Sequence, residues 1–464
     1  MSTFSVSGLS SGINTDEIVS KLMELERRPV TILQSKKTTY NNKITAYSDL
    51  ASKVSAFKTA ADALRTTSNF YAKKASVSDS TILDVSATNS AAAGSYTIAS
   101  HSTAGKIQLA QSEQKSHTAG AAALTTSVNG SGSNKVFQYT YASTQRALTV
   151  ADGTTLEGLR DLINSDSGNP GVTATIIYDG SVYKLALTGN DSGSAKTISI
   201  DSGTTLDGTG STVDFTGSAF TTNQTAQDAK LRINGIDITS SSNTVSGVIA
   251  GLTITLKKES TSAVTVAVTN DTDSIKKKIE DFVKAYNDVI NYVASKSTWD
   301  STTKTGGPLL GDATARDVVR RLKEMVISTV SAASSDVDSL TEIGITTNSK
   351  DGTLSINSTT LGDKLSSKID DVAKLFATTT TGIANQMWSY ADTVTKSTDG
   401  ALTIRKSGLQ SVVNNIASNI TTLETRLNKV EDDLRRRFSS LESLLNGLTS
   451  QGTFLSSQIT QWNK

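Results

Sequence analysis

The chain contains no cysteine. Disulfides, thiolate nucleophiles, zinc–thiolate centres and iron–sulfur clusters are therefore excluded by composition. It has two histidines, His101 and His117, both in Ser/Thr/Ala-rich sequence without a companion carboxylate motif. A histidine-rich metal site and most general-base schemes fall away, and each is expected to be an exposed loop or strand residue. The three prolines (Pro29, Pro170, Pro308) leave long segments without a helix breaker, so extended helices are permitted. No phosphate-binding glycine motif, paired-carboxylate motif or nucleophile elbow occurs, and neither cofactor, metal nor enzymatic activity is expected. No apolar run reaches the ~18 residues of a membrane span, and the N-terminus MSTFSVSGLSSGINTDEIVSK lacks the basic start and apolar stretch of a secretory signal. Lys plus Arg (45) nearly equals Asp plus Glu (44), so no net field draws nucleic acid or an anionic membrane, and neither is expected as a partner. What is abundant is hydroxyl: Ser and Thr make up 132 of 464 residues. Such a chain fits the cytoplasm and equally an extracellular site reached by a signal-less route.

At this length two to four domains are expected. The ends read as helix. Leu409, Val413, Ile416, Ile420, Leu423, Leu427, Val430, Leu434, Arg437, Leu441, Leu444 and Leu448 are spaced alternately by four and three, and only Arg437 is not apolar. Such spacing keeps one stripe on one side of a helix, and a 3.5-residue repeat sustained this long winds around another helix. Leu455, Ile459 and Trp462 suggest that the seam resumes beyond Gly447 and Gly452. At the front, Asn14 or Thr15 can cap a helix whose first turn holds Asp16 and Glu17. Ile18, Leu22, Leu25 and Ile32 continue a stripe through Pro29, where a kink or an interruption is expected. Ile44, Tyr47, Ala51, Val54, Phe57, Ala61 and Leu64 fit a second helical face. The two ends are expected to bundle, leaving everything between them as an insertion.

From about Lys74 to Asn270 the period falls to two and Val, Ile, Thr and Tyr dominate. Strands are expected at Ser95–Ala99, Val136–Tyr141, Val172–Tyr178, Tyr183–Leu187, Thr197–Ile200, Lys230–Ile233, Leu252–Leu256 and Val264–Val268, with turn signals at Asp179-Gly180, Asn190-Asp191 and Asn234-Gly235. Thr155–Asn164 reads as a short helix. Gly120–Ser133 and Ser202–Thr225 read as long loops or a seam between two β modules. After Asp273 a helical face returns at Ile275, Ile279, Phe282, Val283, Tyr286, Val289, Ile290 and Val293. A break at Gly307-Pro308, a helix at Ala315–Val330, a hairpin at Gly344–Thr347 and Gly352–Ile356, and a helix at Leu361–Phe376 follow. The fold class is multidomain α+β: a terminal coiled-coil stalk, a helical leg and two inserted, mainly antiparallel β domains.

Four segments occur in a telling order: SGLSSGINTDEIVSKLMELERRPV at the front, LRINGIDITSSSNTVSGVIAGLTITL at 231–256, PLLGDATARDVVRRLK at 308–323 and LTEIGITTNSKDGTLSIN at 340–357. With the heptad-rich C-terminus they resemble the flagellar filament cap (hook-associated protein 2) family over nearly the whole chain. That resemblance implies a stalk of 1–38 with 405–464, a leg of 39–74 with 272–404, a β domain of 75–104 with 224–271, and an inserted one at 105–223. It implies a homo-oligomeric ring, a pentamer, at the filament tip, outside the cell and exported without a cleaved signal peptide. The implied partners are flagellin, the hook–filament junction proteins and, before export, a cytoplasmic chaperone at the C-terminal helix. The implied mechanism retains unfolded flagellin beneath a plate while legs bend at the 38/39 and 404/405 junctions. Leu309, Leu310, Gly311 and Asp312 form a family signature whose physical reading is a helix N-cap at Asp312. Arg435-Arg436-Arg437 and Lys276-Lys277-Lys278 read as solvated helix faces, and Trp299, Trp388 and Trp462 as core or interface anchors. A tip adhesin binding host glycans, another flagellar axial protein and a secreted enzyme are the alternatives.

Overall fold

The computed structural model describes residues 14–209, 211 and 213–462, the last two by backbone alone. The start of the first motif (1–13) and the Trp462 side chain therefore lie outside the described residues. Helix α1 (Thr15–Glu26) is capped by Asn14, whose side chain accepts the Glu17 N–H. It ends just before α2 (Arg28–Asp62), in whose first turn Pro29 sits. Proline is at home there because it has no N–H to lose, so the expected interruption takes the form of a break at Arg27, two residues upstream, rather than a kink. A short α3 (Thr67–Phe70) precedes the strands β1 (Lys73–Val77), β2 (Leu83–Ala87), β3 (Gly94–Ala99), β4 (Gln114–His117), β5 (Lys135–Tyr141) and β6 (Thr144–Val150). Helix α4 (Leu156–Ser165) follows, then β7 (Val172–Tyr178), β8 (Tyr183–Gly189), β9 (Ile198–Ile200), β10 (Phe220–Gln224), β11 (Ala229–Ile233), β12 (Ile236–Ser240), β13 (Thr244–Ser246), β14 (Leu252–Leu256) and β15 (Val264–Asn270). The chain returns to helix in α5 (Thr272–Lys296), makes a minimal hairpin β16 (Trp299–Asp300) and β17 (Thr305–Gly306), and continues into α6 (Ala313–Val326). The hairpin β18 (Ile345–Thr347) and β19 (Leu354–Ile356) then leads to α7 (Ser358–Ser367), α8 (Ile369–Ala377), α9 (Ile383–Thr395) and the 62-residue α10 (Ala401–Trp462).

Two compact units result, Met1–Phe70 with Asp273–Lys464, and Tyr71–Thr272. In the helical unit all eight apolar residues of the α5 stripe are buried. They meet α2 through Phe57, whose ring centroid lies 5.3 Å from that of Phe282 and 6.2 Å from that of Tyr286. Fully burying one such side chain contributes roughly 1.5–3 kcal/mol. One expectation fails here, and one helix has no counterpart in the sequence reading. The helix read at Leu361–Phe376 is two helices, because Lys368 leaves helical geometry at φ −139° while its ammonium pairs with Asp336. And α9 was hidden behind a threonine run, although Ile383, Ala384, Met387, Ala391 and Val394 bury a helical face.

The β unit holds two cores. In one, β1-β15-β3-β11-β12 form a five-stranded sheet and β13-β14-β2 a three-stranded one, closing over Leu83, Ile98, Leu231, Ile254 and Val266. The tight β11–β12 turn at Asn234-Gly235 has positive φ at both residues, the geometry an Asn-Gly pair suits. In the other, β10-β4-β8-β7 and β6-β5-β9, with α4, enclose Phe137, Tyr139, Leu159, Leu185 and Phe215. The stretches expected as loops contribute to this core: Ala121 and Val128 from the first, Leu206, Val213, Phe215 and strand β10 from the second. Sparse apolar residues still form a core where each one is buried. Both histidines are buried, contrary to expectation, His101 at 8% and His117 at 1% exposure.

Candidate functional site: the terminal helix seam and its polar junction

Along α10, Leu409, Val413, Ile416, Ile420 and Leu427 are buried. From Ile416 onward the seam packs on Val19 and Met23 of α1 and Val30 of α2, with Leu423, Val430 and Leu434 partly buried in the same cluster. The N-terminal residues in this seam are not those expected. Ile18, Leu22, Leu25 and Ile32 are 37, 41, 59 and 57% exposed. The helix carries two stripes one residue, or about 100°, apart, and the less apolar one faces α10. Ion pairs accompany this orientation: the Arg435 guanidinium reaches Asp16 at 2.8 Å and Glu431 at 3.1 Å, while Arg27 lies 3.6 Å from Glu431. These ion pairs join α1 and the start of α2 to α10, so Arg435 is not simply a solvated residue.

Asp16 lies near the start of α1 and pairs with Arg435, and beyond this point the seam changes character. Leu441, Leu444 and Leu448 are 46, 61 and 55% exposed, and Phe454, Leu455 and Ile459 are exposed too. Arg437, the one polar seam position, pairs with Asp433 on its own helix at 2.8 Å. The 38/39 junction falls inside α2 and the 404/405 junction inside α10, both uninterrupted helices.

The signature Leu309–Asp312 forms a joint between helices. Leu309 is buried, Leu310 is 42% exposed, and Gly311 turns the chain at φ +74°, a conformation glycine adopts without strain. Asp312 then caps α6, accepting the Thr314 and Ala315 N–H groups at 3.0 and 3.2 Å. The same carboxylate accepts the Tyr47 hydroxyl from α2 and lies 3.2 Å from the Arg405 guanidinium of α10. Three helices therefore meet at one buried carboxylate. Burial by itself would raise the Asp312 pKa, but hydrogen bonds from Tyr47, the Ala315 N–H and Arg405 outweigh it and hold the carboxyl below its ordinary value. Tyr47 is pushed up to about 12, first by burial and then by Asp312, so it remains a neutral donor. Tyr47 was legible only as a helical-face residue, and nothing in the sequence marked Arg405.

Other expected features scatter. Lys278 donates to the Asn69 and Phe70 carbonyls, tying α5 to α3, while Lys277 pairs with Asp281 on the exposed face. Trp299 is 60% exposed on the β16–β17 hairpin, and Trp388 of α9 carries the Arg65 guanidinium 4.2 Å from its ring. Among the described residues no cluster of three or more His, Asp or Glu could hold a metal, and no helix is long and apolar enough to cross a membrane.

Comparison with known proteins bears on this arrangement. Residues 226–450 match the family described as flagellar hook-associated protein 2 C-terminus, residues 11–113 its N-terminus, and residues 123–191 the flagellin hook IN motif. The chain is 30% identical to the B-type flagellar hook-associated protein 2 of Pseudomonas aeruginosa, with 96% of each chain covered. It is 28% identical to the flagellar hook-associated protein 2 of Escherichia coli K12, covering 99% of this chain and 98% of that one. The solved D1-D2-D3 domains of the flagellar cap protein FliD from Escherichia coli superpose with a TM-score of 0.61 at 28% identity, over 79% of this chain and 99% of that one.

Proposed function

The chain belongs to the flagellar hook-associated protein 2 family, and from that premise we propose that it is the structural cap at the distal end of a bacterial flagellar filament, outside the cell. The observation that carries this is the superposition on a flagellar cap protein through all three of its solved domains. In this reading the protein acts as a scaffold. Copies assemble into a ring, a pentamer, that holds exported flagellin at the tip while it folds into the lattice. The four-part division into stalk, leg and two β domains is part of the same proposal, as are contacts with junction proteins and an export chaperone. The exposed end of α10 supports an assembly role, because beyond Arg435 it leaves six large apolar side chains about half exposed or more, the kind of uncovered apolar surface that marks an interaction site. Helices run through both 38/39 and 404/405, so in this reading bending of the legs at those junctions is bending of α2 and α10.

The test is to express a chain lacking residues 405–464 in place of the cap protein of a flagellated strain. The expected outcome is arrested filaments and flagellin released into the medium. Filaments of normal length with no released flagellin would refute the proposal.

A further inference from the structure

Strand β7 is the edge of the β10-β4-β8-β7 sheet. Its sequence, Val-Thr-Ala-Thr-Ile-Ile-Tyr, carries no charge and no proline. An uncharged, β-branched edge of this length is a template on which another chain can add a strand. The edges of the neighbouring five-stranded sheet are guarded in familiar ways, with Lys73 and Lys74 on β1 and Asp237 on β12. β7 has no such charge.

Its outward main chain is occupied by two side chains instead. Asn190 donates its N–H to the Gly171 carbonyl, which starts the alternation in which Thr173, Thr175 and Ile177 face β8 and Val172, Ala174 and Ile176 face outward. The Asn164 amide, from the last turn of α4, donates to the Ala174 carbonyl and accepts the Ala174 N–H, both at 2.8 Å. The Asn169 amide does the same at Val172, donating at 2.7 Å and accepting at 2.8 Å. A side-chain amide so placed satisfies the donor and acceptor that an incoming strand's peptide would otherwise pair. Among the described residues no side chain caps Ile176, the next outward residue, and beside it Ile177 and Tyr178 are 56 and 54% exposed.

We infer that Asn164 and Asn169 are edge guards: their amides occupy the strand-pairing groups of β7 and keep it from adding the same strand of a second copy of this chain. Asn169 also donates to the Ile163 carbonyl and accepts the Gly171 N–H, so it shapes its own turn. Asn164 is therefore the cleaner position to change.

In the intact wild-type chain, amide exchange should be slow at Val172 and Ala174 and fast at Ile176. Equal protection at Ile176 would overturn the inference without any variant. In Asn164→Ala, protection at Ala174 should be lost in dilute solution. As concentration rises, species heavier than the wild-type assembly should appear, in which both Ala174 and Ile176 become protected. Adding Ile177→Lys, a charge that an edge strand uses to repel partners, should return the mass to the wild-type value. A purely structural role for Asn164 predicts a less stable protein of unchanged mass. That result, or heavy species in which Ile176 still exchanges fast, or heavy species that Ile177→Lys leaves intact, would overturn the inference.

Discussion

Replacing Asp312 by Ala separates a joint between three helices from a mere helix cap. The Asp312 side chain is 2% exposed and serves the α6 N-terminus, the Tyr47 hydroxyl and Arg405 together. Losing an N-cap costs about 1 kcal/mol. Leaving the buried Tyr47 hydroxyl without its acceptor adds about 1–3 kcal/mol. The Arg405 side chain is 47% exposed, so its ion pair contributes under about 1 kcal/mol. The sum is a loss of roughly 2–5 kcal/mol, and Tyr47→Phe should recover part of it in a double-mutant cycle. Asp312→Asn keeps a capping side chain and an acceptor, so its loss should be clearly smaller. All three tryptophans lie in the helical unit, so urea unfolding followed by tryptophan fluorescence reports on that unit alone. The pH dependence carries a sign. Because the folded carboxyl sits below its unfolded value of about 3.9, its contribution is complete above that value and fades as pH falls through the folded pKa. The acid limb of the stability curve should therefore be shallower in Asp312→Asn. A loss under about 0.5 kcal/mol in Asp312→Ala, or equal losses in the Ala and Asn variants, would refute the joint.

The seam yields a paired prediction: Val19→Asp should lower the stability of the α1–α10 contact, seen as faster amide exchange through α1, whereas Ile18→Asp, on the exposed stripe, should leave the isolated chain unaffected; equal effects would remove the assigned rotation of α1. His117 gives a second pH effect of known sign. Burial lowers its pKa, opposed by its hydrogen bond to the Asp214 carbonyl, and its Nδ1 accepts the Gly120 N–H at 2.8 Å, which requires the neutral ring. Stability of the β unit should be full above the unfolded histidine value near 6.5 and decline as pH falls toward the folded one. Amide exchange in β4 and β8 should quicken across that window, and His117→Gln should abolish the dependence.

Legibility tracked how locally each feature is encoded. The α5 face, the Asn14 and Asp312 caps and the bounds of β7 and β14 follow from short-range periodicity and side chains that bond their own neighbouring backbone. β6, β10 and the Gly120–Ser133 contribution to the core carry too few apolar residues to show a period, and are ordered by what they pack against.

Residue order alone determined that the ends are helices with a 3.5-residue stripe and the middle is β, because side-chain periodicity is a property of the chain taken a few residues at a time. Tertiary structure alone decided which of two adjacent stripes of α1 meets α10, and that Tyr47, Asp312 and Arg405 share one buried site. These depend on groups separated by up to 419 positions in the Asp16–Arg435 pair. Geometry between distant segments follows from the packing of the whole unit, and no local pattern carries it.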